Sequence, residues 1–115
     1  MPDQHIDLSR LDHLFKGDQS QVREWITLYL QEAPQYFTQL SVSLENGDVQ
    51  GLAAAAHDLQ PQAHYLGSAH MVELLAAIEA HSMNGASLPC GDLLNQLLPL
   101  HEAIDAELRA LLKAE

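Results

Sequence analysis

From residue 49 to residue 66 the apolar side chains Val49, Leu52, Ala56, Leu59, Ala63 and Leu66 step by three, four, three, four and three. That spacing keeps one face of an α-helix apolar along its whole length, and a β-strand, which alternates every second residue, cannot use it. It is the seam of a helix bundle. The same rhythm runs through Val22, Ile26, Tyr29, Ala33, Phe37, Leu40 and Leu44, a face that Trp25 and Leu30 broaden. It returns, shorter, in Met71, Leu75, Ile78 and Ser82, and again in Leu94, Leu97, His101, Ile104, Leu108 and Leu111. Composition agrees, because Leu and Ala number 36 together against ten for Val, Ile and Thr, a balance that suits helix over sheet.

The punctuation between these stripes is short. Asn46, Gly47 and Asp48 supply a helix stop, a left-handed residue and a new N-cap in turn, and Gly67 with Ser68 repeats the device. A brief leading helix from about Asp7 to Phe15 uses Leu8, Leu11 and Leu14 and ends near Gly17, before Asp18 caps the long second one. Residues Asn84 to Gly91, with two Gly and Pro89, are expected to form the longest loop. Short connections make neighbours antiparallel, and 115 residues hold one core rather than two. The expected fold is therefore all-α, an antiparallel up-down-up-down four-helix bundle in a single domain, residues 1–115, with a short additional N-terminal helix. Pro34, Pro61 and Pro99 fall inside the helical stripes, so kinks or breaks are expected there.

Sixteen acids against five Lys and Arg leave a net charge of −11, and Arg10, Lys16, Arg23, Arg109 and Lys113 are scattered rather than grouped. Nucleic acid and anionic membrane surfaces are therefore excluded as expected partners. No run approaches the roughly 18 apolar residues of a membrane span. The start, Met1, Pro2, Asp3 and Gln4, is acidic and polar, unlike a secretory signal. Cys90 stands alone, is expected in a loop, and has no disulfide partner. A cytoplasmic location fits. Seven histidines invite a metal reading, yet no two lie three or four apart. His101 and Asp105 have that spacing, but one imidazole and one carboxylate do not make a site, so neither metal nor cofactor is expected. There is also no Gly-rich nucleotide loop and no Ser or Cys nucleophile with a placed base, which speaks against an independent enzyme.

His57 follows the seam residue Ala56 by about 100° of helix rotation, so it faces solvent, and Ala54, Pro61 and His64 share its face. The small residues Ala53 to Ala56 let another protein come close. The segment AHDLQPQAHYLGS, Ala56 to Ser68, resembles the signature of histidine phosphotransfer (HPt) domains of bacterial phosphorelays, AHxLKGSAxxLGA. Ala56, His57, Leu59, Ala63, Leu66 and Gly67 match it. The resemblance extends over roughly Ile6 to Leu112, through Ile6, Asp7, Gly17, Asp18, Glu32 to Pro34, Gly47, Asp48 and Glu79.

The resemblance implies a four-helix bundle with an exposed phosphoacceptor histidine, His57, on a middle helix. It implies a phosphoryl carrier that takes the group from an aspartyl phosphate on one receiver domain and passes it to another. The partners would be the receiver domain of a response regulator, a hybrid histidine kinase, or both, and the divalent cation would sit on the receiver. Gln60, Pro61 and His64 are then the phosphate-supporting or partner-facing residues. Gln60 stands where the family has Lys, and can donate a hydrogen bond but no charge. Pro61 stands where it has Gly, and removes the helical partner of the His57 carbonyl; Gln62 replaces a small residue. The alternative function is an HPt-like adaptor that binds a receiver or kinase without carrying phosphate.

Overall fold

A computed structural model describes residues 5–114; the acidic start, Met1 to Gln4, lies outside the described residues. Five helices follow in order, α1 (Ser9–Leu14), α2 (Gln19–Glu45), α3 (Val49–Leu66), α4 (Ala69–Met83) and α5 (Leu88–Lys113). Helices α2 to α5 form a closed ring, each packed on the next and α5 returning to α2, while α1 lies across α2 and α3. This is the antiparallel four-helix bundle with a short leading helix that the stripes predict. Helix α2, with 27 residues, is about 40 Å long at 1.5 Å per residue and sets the 44 Å length of the molecule.

The helices start where their caps allow. Asp18 accepts hydrogen bonds from the Ser20 hydroxyl and from the backbone N–H groups of Ser20 and Gln21, which hold its carboxyl below the usual range, the Ser20 hydroxyl most of all. Asp48 takes the N–H of Gly51 and Ser68 that of Met71. Gly47 and Gly67 sit at φ of +65° and +73°, the left-handed turn-off that only glycine adopts without strain.

Each long helix contributes fully buried side chains to one core: Leu40 from α2, Leu52, Leu59 and Leu66 from α3, Leu75 and Ile78 from α4, Leu97, Ile104 and Leu108 from α5. Such a residue stabilises the fold by roughly 1.5–3 kcal/mol relative to exposure. Ala55, Ala56 and Ala63 are fully buried on α3, the helix whose packing on α4 is the most extensive in the bundle. Among the described residues no helix is long and apolar enough to cross a membrane.

Three expectations are corrected. The segment Asn84 to Gly91 is not a long loop, because α5 begins at Leu88 and takes in Pro89, Cys90 and Gly91. Pro89 lies in the first helical turn, where its missing N–H would have no helical partner in any case. Cys90 accordingly is a core residue, fully buried, with its sulfur 3.6 Å from Ser82 Oγ and 3.7 Å from the Ile78 carbonyl. Of the kinks or breaks expected at the prolines, the breaks do not occur: α2, α3 and α5 run on through Pro34, Pro61 and Pro99, all three on exposed sides. Apolar stripes packed on both sides of each proline outweigh its local cost of about 3 kcal/mol.

His101 of α5 is half-buried and stacks on Phe37 of α2, ring centroids 3.8 Å apart and planes at 13°. Its Nδ1 is buried without a hydrogen-bond partner among the described residues. Burial pushes its pKa below the ordinary 6.5, against the opposing pull of Asp105 and Glu102. The unfolded chain therefore takes up a proton here at higher pH than the folded one, so stability falls as pH drops below about 6.5. Measured between pH 8 and 5, the Tm of the wild type should lose ground to that of His101→Phe, which keeps the stack but cannot titrate. Parallel curves would refute this.

Candidate functional site

Helix α3 is rotated by its buried residues Leu52, Ala55, Ala56, Leu59 and Ala63, and this turns Ala54, His57, Pro61 and His64 outward, all four exposed as their spacing predicts. The His57 side chain is 70% exposed. Helix α4 is fixed the same way by Met71, Leu74, Leu75 and Ile78, which leaves Glu79 at its edge towards α3, 23% exposed.

Glu79 joins the two helices. Its Oε2 lies 3.0 Å from His57 Nδ1, and its Oε1 accepts a 2.6 Å hydrogen bond from Gln60 Nε2. A carboxylate only accepts, so the imidazole donates through Nδ1–H, and in the neutral ring this leaves the lone pair on Nε2. Nε2 has no partner among the described residues and stands on the exposed edge. The arrangement presents a nucleophilic nitrogen to solvent while a carboxylate faces the far side of the ring, ready to balance positive charge that develops there.

The residues predicted around His57 fall into different surroundings. Gln60 is committed to Glu79, so it orients the carboxylate that orients His57. Pro61 lies one turn beyond His57 and is exposed; having no N–H, it leaves the His57 carbonyl without its helical partner. Gln62 is only half-exposed. His64 lies about 10.5 Å along the axis from His57, and its Nε2 is 3.1 Å from the Arg10 guanidinium of α1. Since a guanidinium only donates, His64 accepts at Nε2 and is neutral in this contact. Its ring stands edge-on to Tyr65, centroids 5.7 Å apart.

Two residues of this surface were not singled out by spacing. Glu79 entered only through family resemblance, and the available signal was its place beside the core residue Ile78, on the flank of α4 that must meet α3. Arg10 had no local signal. It reaches His64 because the segment before α1 is fastened to the α3–α4 corner, where the Asp7 N–H donates to the Leu66 carbonyl at 2.9 Å.

The family model described as Hpt domain matches residues 24–114, and the chain belongs to the Hpt domain family. The family is that of phosphorelay phosphotransfer proteins, which are phosphocarrier intermediates rather than classical enzymes, and membership implies partnership with two-component signalling proteins such as receiver domains or kinases. The crystal structure of histidine-containing phosphotransfer protein B (HptB) from Pseudomonas aeruginosa PAO1 has the same fold, with a TM-score of 0.87 at 15% identity, covering 96% of each chain. No curated protein sequence matches.

Proposed function

We propose that the chain is a phosphorelay intermediate that accepts a phosphoryl group at Nε2 of His57 from the aspartyl phosphate of one receiver domain and passes it to a response regulator, in the cytoplasm and as a single module. The observation that carries this reading is the hydrogen bond from Nδ1 of an exposed imidazole to Glu79. In the forward step the Nε2 lone pair attacks phosphorus, the N–P bond forms, the acyl P–O bond breaks, and the aspartate leaves with the electron pair as carboxylate. No proton has to move. The ring keeps Nδ1–H and becomes a phosphoimidazolium, whose positive charge faces the Glu79 carboxylate; the return of the pair to Nε2 releases the group to the next aspartate. The chain needs no cofactor of its own here, and the divalent cation belongs with the receiver.

The test is to incubate phosphorylated receiver domains with the full chain and map the label among its seven histidines. An acid-labile, alkali-stable adduct at His57 is expected. Binding of a receiver with no label transferred would overturn the carrier reading in favour of the adaptor.

Glu79 acts through His57 as a positioning residue. Glu79→Ala is expected to slow uptake about 10- to 100-fold, the usual size of such orienting contacts, with Glu79→Gln, whose amide oxygen still accepts from Nδ1–H, recovering part of the loss. Nitrogen-15 NMR of the imidazole should show the Nδ1–H tautomer in wild type and its depletion in Glu79→Ala. An unchanged tautomer would remove the positioning role.

A further inference from the structure

Helices α3 and α4, which carry His57 and Glu79, contain no Lys or Arg, and the position where the family has Lys holds Gln60, already bonded to Glu79. The exposed charge on this face is negative, with Asp58 beside His57 and Glu73 of α4 bordering the same cleft as Arg10 and His64. Among the described residues the cation set against α3 here is Arg10, brought in from α1 beside His64, on the same side of α3 as His57 and about two turns away, with the Asp7 carboxylate near enough to feel its charge. Its guanidinium opens on a cleft of about 640 Å³ bordered by Asp7, His13, Leu14, His64 and Tyr65.

We infer that Arg10, oriented by His64, is a specificity-determining contact for the receiver domain, pairing with a carboxylate on the rim of the receiver's acceptor site. The inference rests on the reading of His57 as acceptor and adds where the partner is recognised. Charge complementarity argues for this occupant. A receiver that holds an accepting aspartate and a divalent cation is acidic around its site, whereas the face of this chain that must meet it is itself acidic except at Arg10. A protein of net charge −11 otherwise repels such a partner, and one fixed guanidinium sets both approach and register. His64 matters because its Nε2 lone pair holds the guanidinium over the docking face instead of leaving a long side chain to be ordered on binding.

The experiment measures Kd and association rates for the full chain with a panel of unphosphorylated receiver domains from the same genome, between 50 and 300 mM NaCl. For the receiver bound most tightly by wild type, Arg10→Gln should raise Kd about fivefold at low salt, mainly through slower association, with the difference shrinking as salt rises. Arg10→Lys and His64→Gln, which keep the charge and the acceptor respectively, should stay within about twofold of wild type, and His64→Leu should fall between wild type and Arg10→Gln. Arg109→Gln removes the same charge from α5, which does not touch α3, and should leave Kd unchanged. Equal affinity and equal salt dependence for wild type and Arg10→Gln overturn this inference while the carrier reading stands. Equal losses in Arg10→Gln and Arg109→Gln overturn it in favour of net charge alone. Failure of wild type to bind any receiver overturns both.

Discussion

His57→Gln is expected to lose phosphoryl uptake by three orders of magnitude or more, the scale on which removal of a nucleophile acts, while its Tm stays within a degree or two of wild type. The two halves follow from the same geometry. With the side chain 70% exposed, truncation removes little packing, and the Gln amide can still donate to Glu79. What disappears is the only chemistry the position offers, a ring nitrogen with a free lone pair. Labelling from a phosphorylated receiver, read beside thermal unfolding, checks both. Label persisting on the variant would sink the assignment, and His5 is then the first place to look, because Glu107 holds its Nδ1 much as Glu79 holds that of His57.

Gly67→Ala is expected to cost the fold about 2–4 kcal/mol, the sum of a left-handed backbone forced on an L-residue and an overpacked contact. Gly67 has φ +73°, and an added Cβ would stand 2.0 Å from the carbonyl oxygen of Asp7 and 2.8 Å from its carbonyl carbon. Those are backbone atoms, held in place by the Asp7 N–H to Leu66 carbonyl bond, so no rotamer change relieves the clash. For a chain of this length the loss corresponds to a Tm lower by roughly 10–20 °C. Gly47→Ala is the control, with φ +65° and nothing within 4 Å of the new Cβ; it should lose only about 1–2 kcal/mol, from backbone strain alone. Equal losses in urea unfolding would show that the contact with the leading segment contributes nothing. The same contact locates α1, so Gly67→Ala should also disturb the Arg10–His64 pair.

The seam of α3 was legible almost residue by residue: Leu52, Ala56, Leu59, Ala63 and Leu66 are buried, and Val49, at the first turn, is half-exposed. The caps at Asp18, Asp48 and Ser68 were legible too, because a cap is a local bond between residues two or three apart. The density of Pro and Gly near residue 90 was misleading. In the first turn of α5 those residues do no harm, and the burial of Cys90 against Ile78 and Ser82 depends on α4, to which no local pattern refers. The continuity of the helices at the prolines has a related cause: local chemistry opposes helix at Pro34, Pro61 and Pro99, and packing along the whole stripe overrides it.

What the sequence by itself determined is therefore whatever a helix decides within a few turns: which residues face inward, where each helix starts, and that His57 stands in solvent beside Pro61 and His64. Periodicity settles these because rotation per residue is constant. Only the tertiary structure decided which way the His57 ring carries its proton, because Glu79 lies 22 residues away on another helix. It alone decided, too, that a cation reaches this face, because Arg10 meets His64 across 54 residues. Hydrogen bonds and charge pairs between helices depend on how the elements dock, and docking is set by the shape of the whole core rather than by any one stripe.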